Sequence, residues 1–365
     1  MIAGPEAIET VVYKRPVPDC LLVRREHIPE KGRFPVVDAH NHIFGDESAE
    51  RLLEVMDRTG IRTWVNVSGN VIMPLENNTY TIKRVPIEDF IEEYVIPHPE
   101  RFVCFTMAEF ARWKDFVLPV STDFAEKCIE TLERDVGKGA CGLKLTKELG
   151  LKFRDEDGNF IPVNDKRLYP VWKRAGELEI PVLMHISDPV GFFQPLDERN
   201  EHAPVLREFP GWSFYGSYFS KEELLEQRNR LIHDHPQTIF ILPHVANFAE
   251  NLAAVGRLIS ENANVFIDIS ARLDELGRQP YTARDFIIQF RDRILFGVDM
   301  PVDADIYRCH FRFLETRDEY FETPDYIGRW GKSRWRVHGL NLPDEVLKKI
   351  YYENAERVIP GVGAG

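Results

Sequence analysis

No stretch of this chain approaches the ~18 consecutive apolar residues of a membrane-spanning helix, so no span is expected. Cys-x-x-Cys pairs are also missing: Cys20, Cys104, Cys128, Cys141 and Cys309 are widely spaced and odd in number. That excludes a disulfide framework and reads as free thiols in a reducing compartment. The chain has no Lys/Arg-rich stripe with interleaved aromatics, and its net charge of −13 repels phosphate backbones, so nucleic acid is not an expected partner. The opening MIAGPEAIETVVYKRP lacks the basic start and apolar run of an export signal, and a cytoplasmic protein is expected. No Gly-rich phosphate loop follows the first strand-like run, which removes the nucleotide-binding doubly wound sheets. Internal repeats and low-complexity tracts are absent as well.

What is present is ample core material. With 365 residues, 44% of them hydrophobic and 29% charged, the chain can fill one large barrel of ~250 residues plus insertions. From residue 36 onward, eight apolar runs alternate with segments of helical period: FPVVDAH, RTWVNVSG, RFVCFTMAEF, ACGLKLT, IPVLMHIS, TIFILPHV, NVFIDIS and RILFGVDM. Eight strands with crossover helices predict an α/β fold, a (β/α)8 TIM-type barrel over residues 36–360. Ser48 and Gly60 bracket a first helix with Leu52, Leu53 and Met56 on its apolar stripe. Leu168, Val171, Trp172, Ala175 and Leu178 form a second stripe that should pack on the barrel exterior. Residues 1–35, rich in Pro and charge, are expected to be an N-terminal extension packed on the barrel or on a neighbouring subunit. Long loops follow strands 4, 5 and 8, and Asp157-Gly158 marks a hairpin excursion.

Chemistry collects at the strand ends. In FPVVDAHNH, strand alternation puts Asp38, His40 and His42 on one side. By the same rule Lys144 lies opposite Leu143 and Leu145, His185 shares a face with Leu183, His244 lines up with Phe240 and Leu242, and Asp299 with Gly297. All fall near the C-terminal ends of their strands, where a (β/α)8 barrel builds its active site. Imidazoles and a carboxylate suit Zn²⁺ or a similar divalent ion with one position open for water, whose pKa then falls to ~7. Asp299 can take the proton of that water.

Strand-1 Asp-x-His-x-His, strand-5 His, strand-6 His and strand-8 Asp, in that order, resemble the amidohydrolase superfamily over roughly residues 36 to 360. The closing LPDEVLKKIYYENAERVI is similar to the superfamily's final helix, and GLKL resembles a strand-4 motif of the amidohydrolase-related branch that includes aminocarboxymuconate semialdehyde decarboxylase. The resemblance implies that His40, His42, His185 and Asp299 hold one metal while His244 handles protons or polarises the substrate. In the phosphotriesterase and dihydroorotase branches a strand-4 lysine is carbamylated and bridges two metals. An unmodified ammonium ~5 Å from a dication would be repelled by ~6–7 kcal/mol at an effective dielectric of ~20. Lys144 is therefore a carbamylated bridge, a substrate- or carboxylate-binding group, or a structural inward lysine.

Asp38 is expected to orient a ligand histidine. Asp268 either supports the metal site or belongs to a structural network. Arg272 either binds a substrate carboxylate bidentately or forms a surface ion pair, and Arg199 is open in the same way. Phe192 and Phe193 are read as pocket wall or core, and the aromatic tract Tyr307–Tyr320 as a lid or ordinary packing. His27, His98, His202, His233, His235, His310 and His338 carry no expected ligand role. The expected activity is hydrolysis of an amide, lactone or related carbonyl of a small-molecule substrate by metal-activated water. The alternative is zinc-dependent non-oxidative decarboxylation of an aromatic or unsaturated carboxylic acid, and a non-catalytic binding barrel is a third reading. One metal is expected, two if Lys144 is carbamylated, and the resemblance makes a homodimer the expected assembly.

Overall fold

Each of the eight predicted runs becomes a short strand: β1 Val36–Asn41, β2 Ile61–Asn66, β3 Phe102–Cys104, β4 Leu143–Leu145, β5 Val182–Met184, β6 Phe240–Leu242, β7 Val265–Asp268 and β8 Ile294–Leu295. The structure is a computed structural model that describes residues 20–45, 47–76, 79–111, 123–216, 219–323 and 335–363. The strands pair in parallel in two arcs, β1-β2-β3 and β8-β7-β6-β5-β4. A parallel bridge from Thr106 to Leu143 closes one seam between the arcs. Ala39 N donates to Phe296 O at 3.0 Å and Asp299 N to His40 O at 2.8 Å, closing the other. The result is the closed barrel.

The helices that wrap it are α1 Ala49–Thr59, α2 Ile87–Phe90, α3 Phe124–Lys138, α4 Tyr169–Glu177, α5 Lys221–Asp234, α6 Leu252–Glu261, α7 Pro280–Gln289, α8 Ala304–Glu315 and α9 Asp344–Lys348. The Ser48 side chain accepts the Arg51 amide to start α1, and Gly60 at φ 80° ends it by donating to Met56 O. Leu52, Val55 and Met56 bury the apolar face between these caps. On α4, Val171, Trp172 and Ala175 are fully buried, and the Trp172 ring stacks on Phe110 at 5.6 Å between centroids. Burial of each such side chain contributes ~1.5–3 kcal/mol.

Two apolar layers result. Val37, Val65, Val103, Leu183, Ile241, Phe266 and Leu295 fill the barrel, joined by Val358, Ile359 and Val362 near the end of the chain. Val36, Trp64, Leu143, Val182, Phe240, Leu242 and Ile267 face outward into the helical layer. The aromatic tract on α8 belongs to this outer layer: Tyr307 and Phe311 pack on Phe296 and are fully buried, so these residues are packing rather than a lid.

Gly158 at φ 82° turns the expected excursion, with Arg154 bridged antiparallel to Phe160. Of the N-terminal extension, residues 1–19 lie outside the described residues. Its described part runs along α8 and the segment after it: His27 N donates to Asp318 Oδ2 at 2.7 Å, and Arg33 Nη1 to Asp344 Oδ1 at 2.8 Å. Among the described residues no helix is long and apolar enough to cross a membrane.

Candidate metal centre and pocket

His40, His42 and Asp299 present ligand atoms that all lie within 4.8 Å of one another. His42 Nε2 is 3.5 Å from Asp299 Oδ1, and His40 Nε2 is 3.8 Å from Asp299 Oδ2. Both imidazoles are tethered through their other nitrogen, His40 Nδ1 to Asp268 Oδ2 at 2.9 Å and His42 Nδ1 to Ser68 Oγ at 2.6 Å. That tethering leaves each Nε2 lone pair aimed at the cluster, as a metal ligand requires. Burial first, then the positive charge of Lys144, pushes both rings well below the ordinary histidine pKa, so they are neutral donors. Two neutral imidazoles and one carboxylate make a donor set that fits a divalent metal ion.

The path of β1 into this site differs from simple alternation. The β1–β2 register shifts between Asp38 and Asn41, a bulge that rotates the strand. Asp38 therefore does not share a face with His40. Its carboxylate accepts the Tyr307 hydroxyl of α8 at 2.7 Å, Asn41 Nδ2 at 3.0 Å and the amides of His40 and Val298 at 3.3 and 3.2 Å. Asp38 ties β1 to the segment after β8 and to the outer helices and touches no ligand ring. The carboxylate that orients a ligand is Asp268. Its Oδ1 also accepts His244 N at 3.0 Å and Ser270 Oγ at 2.6 Å.

His244 likewise reaches the site by a route that alternation does not supply. Phe240 and Leu242, with which it was expected to align, face the outer layer. The chain then turns over: His244, Val245, Ala246 and Asn247 hold φ of 57°, 56°, 53° and 57°. A left-handed turn costs ~1–2 kcal/mol at each ordinary residue, so this one is held by its surroundings. It swings His244 Nε2 to 3.4 Å from Asp299 Oδ2, while His244 Nδ1 donates to Ser270 O at 2.9 Å. Asp299 itself sits at φ 52°. Burial raises its carboxyl above the ordinary range, and Lys144 pulls in the opposite direction.

His185 is beside the cluster, with its ring 4.5 Å from that of His244, but outside the three-residue ligand set. Its Nε2 is committed to Ser187 O at 3.1 Å, with Asp188 Oδ1 at 3.6 Å. Of the expected set of His40, His42, His185 and Asp299, the structure brings together His40, His42 and Asp299, while His185 is turned to the Ser187 carbonyl and lies outside the cluster. Lys144 projects inward as expected and places Nζ 3.0 Å from His40 Nε2. Burial lowers its ammonium below the ordinary lysine pKa, against the pull of Asp299 and Asp268.

Above the cluster opens a cavity of about 250 Å³. Phe44, Met73, Ile82, Phe192, Trp212 and Trp335 give it an apolar wall. Arg272 projects into it, 9% exposed, with Nη1 on Ala271 O at 2.6 Å and no ion-pair partner among the described residues. The surface ion pair considered for Arg272 is therefore absent there. Arg199 lies outside this lining, and Phe193 packs against Phe214 at its margin. Ser68 and Ser270 escaped the sequence reading, although Ser270 lies two residues from Asp268 on the same strand face.

The fold and site together define a barrel with a candidate centre for a divalent metal ion. The amidohydrolase family profile matches residues 16–361, and the chain belongs to that family. Among solved structures it is similar to 2,6-dihydroxybenzoate decarboxylase from Rhizobium, at TM-score 0.52 and 17% identity over 89% of this chain and 98% of that one. A dihydroxybenzoic acid decarboxylase from Polaromonas, solved with bound manganese and the inhibitor 2-nitroresorcinol, matches at TM-score 0.53 and 16% identity over 89% and 96%.

Proposed function

We propose that this enzyme removes the carboxyl group of an aromatic or unsaturated carboxylic acid without redox change, using one divalent metal such as Zn²⁺ or Mn²⁺. The observation that carries the reading is the buried Arg272 guanidinium, which lines a largely apolar cavity beside the His40–His42–Asp299 cluster and makes no ion pair among the described residues, the buried Glu275 acting on it only through its field. A planar apolar anion fits that combination, since the walls favour the ring and the fork of Arg272 can donate two hydrogen bonds to a carboxylate. The decarboxylases among the solved structures of the same fold support the same reaction class.

His40, His42 and Asp299 would hold the metal. When bound, the metal supplies positive charge to orient the substrate and stabilise negative charge during bond cleavage. The bond to the carboxyl carbon breaks, carbon dioxide leaves, and the electron pair stays on the substrate carbon. That carbon then takes one proton from the His244–Asp299 pair, and solvent restores the proton. The apolar wall keeps water from the intermediate.

Hydrolysis remains the second reading because of one observation, the approach of Lys144 to His40 Nε2, where a carbamylated lysine would bridge two metals. The test is to supply metal-loaded protein with carboxyl-labelled 2,6-dihydroxybenzoate and a panel of aromatic carboxylic acids. Release of labelled carbon dioxide, lost in Asp299→Asn, is the expected result. Incorporation of solvent oxygen into an amide or lactone product without such release would overturn it.

A further inference from the structure

Lys221 and Arg228 stand seven residues apart on α5, two turns along one helix face. They are 2% and 3% exposed and lack an ion-pair partner among the described residues. An isolated buried cation is unfavourable unless dipoles replace its lost water. Asn229 Oδ1 accepts Arg228 Nε at 3.1 Å and Nη2 at 2.9 Å, and further dipoles come from the strained turn. Arg228 Nη1 donates to Ala246 O at 2.5 Å, and Lys221 Nζ to Asn247 O at 2.6 Å. These carbonyls close the left-handed run that begins at His244. Lys221 Nζ also donates to Asp188 O at 2.5 Å and Ser187 Oγ at 3.2 Å, in the segment that follows His185. One ammonium thus joins the ends of β5 and β6, the two strands that carry His185 and His244.

We propose that Lys221 and Arg228 are positioning residues: their cations clamp the Ala246 and Asn247 carbonyls, hold non-glycine residues in a left-handed turn, and thereby keep His244 against Asp299. The functional meaning of the clamp rests on the role of His244 in the proposed reaction, but its test does not require turnover. Imidazole signals of the ¹⁵N-histidine-labelled protein are recorded, with those of His244 identified by their loss in His244→Asn. Lys221→Met and Arg228→Met are expected to shift or broaden the His244 signals while those of His310, buried on α8, stay in place. Arg228→Lys keeps a cation in reach and retains the native signals. Ala246→Gly in the Arg228→Met background restores them, because glycine holds positive φ without a clamp. Unchanged His244 signals in both neutral variants would overturn the proposal. So would a general loss of histidine signals that Ala246→Gly does not recover. If the clamp holds while labelled carbon dioxide is never released, the reaction assignment fails and the positioning role stands.

Discussion

The Lys144 ammonium nitrogen lies 3.0 Å from His40 Nε2, the ring nitrogen that also faces Asp299. That nitrogen has one in-plane lone pair, so the lysine and a metal ion compete for it. An unmodified, charged Lys144 must withdraw when the ion binds, since a dication ~5 Å away repels it by ~6–7 kcal/mol at an effective dielectric of ~20. Burial already favours the neutral amine. The expected metal content, measured by elemental mass spectrometry on protein purified without chelator, is one equivalent per chain, and Lys144→Met retains it. Two equivalents, one of them lost in Lys144→Met, would instead assign a carbamylated bridge and favour hydrolysis.

Asp268 anchors two of the site's histidines at once, His40 through its ring and His244 through its amide. Asp268→Asn leaves an amide N–H facing either His40 Nδ1 or the three donors that converge on Oδ1, Ser270 Oγ, Ser270 N and His244 N, and so weakens the hold on the histidines. Loss of such an outer partner reduces metal affinity by ~10–100-fold. Chelator competition on the folded variant measures this, and unchanged affinity would remove Asp268 from the metal site.

His310 on α8 offers a pH test remote from the ligands. Its Nδ1 donates to Ile306 O at 2.8 Å, and its buried Nε2 has no partner among the described residues. Burial lowers its pKa to about 4, well below the ordinary imidazole range. Above pH ~6.5 both folded and unfolded forms are neutral, whereas below it the unfolded chain gains a proton first and stability falls until pH ~4. His310→Leu removes that penalty. Relative to wild type, the variant should gain roughly 3 kcal/mol between pH ~7 and ~4 in urea unfolding. Parallel stability curves would show that His310 does not titrate on unfolding in this range.

Much of this architecture was legible because barrel strands buried on both faces are apolar runs, and because caps such as Ser48 and Gly60 act locally. Lys144 and His185 followed from period-two alternation, since Gly142 and Leu183 face the interior, whereas Asp299 lies four residues past Leu295 at φ 52°, beyond the reach of alternation. Alternation failed where the backbone is irregular. The β1 bulge separates Asp38 from His40, and the left-handed turn brings in His244 from a strand whose neighbouring side chains face outward. In PHVAN, Asn247 and His244 tolerate positive φ, but Val245 and Ala246 give no sign of it. Its cause lies in α5, whose Lys221 and Arg228 are distant in sequence. The His185 ring engages Ser187 O and lies near Asp188 Oδ1, local contacts that spacing does not encode.

Arg272 separates binding from chemistry. Its guanidinium is held by Ala271 O and lines the cavity with Phe192, Trp212 and Trp335. A charged hydrogen bond to a substrate carboxylate contributes ~1.5–3 kcal/mol, so Arg272→Met should weaken an aromatic carboxylate by roughly 10–150-fold. The neutral amide of the same ring gains little from this guanidinium, and its affinity should scarcely change. Calorimetry with benzoate and benzamide reads the difference directly: wild type prefers benzoate, and Arg272→Met loses the preference. Arg272→Lys should recover only part of it, because an ammonium lacks the planar fork that matches a carboxylate. If Arg272→Met still prefers benzoate, the anion is received by Lys144 or by Lys147, which also lines the cavity and pairs with Asp188.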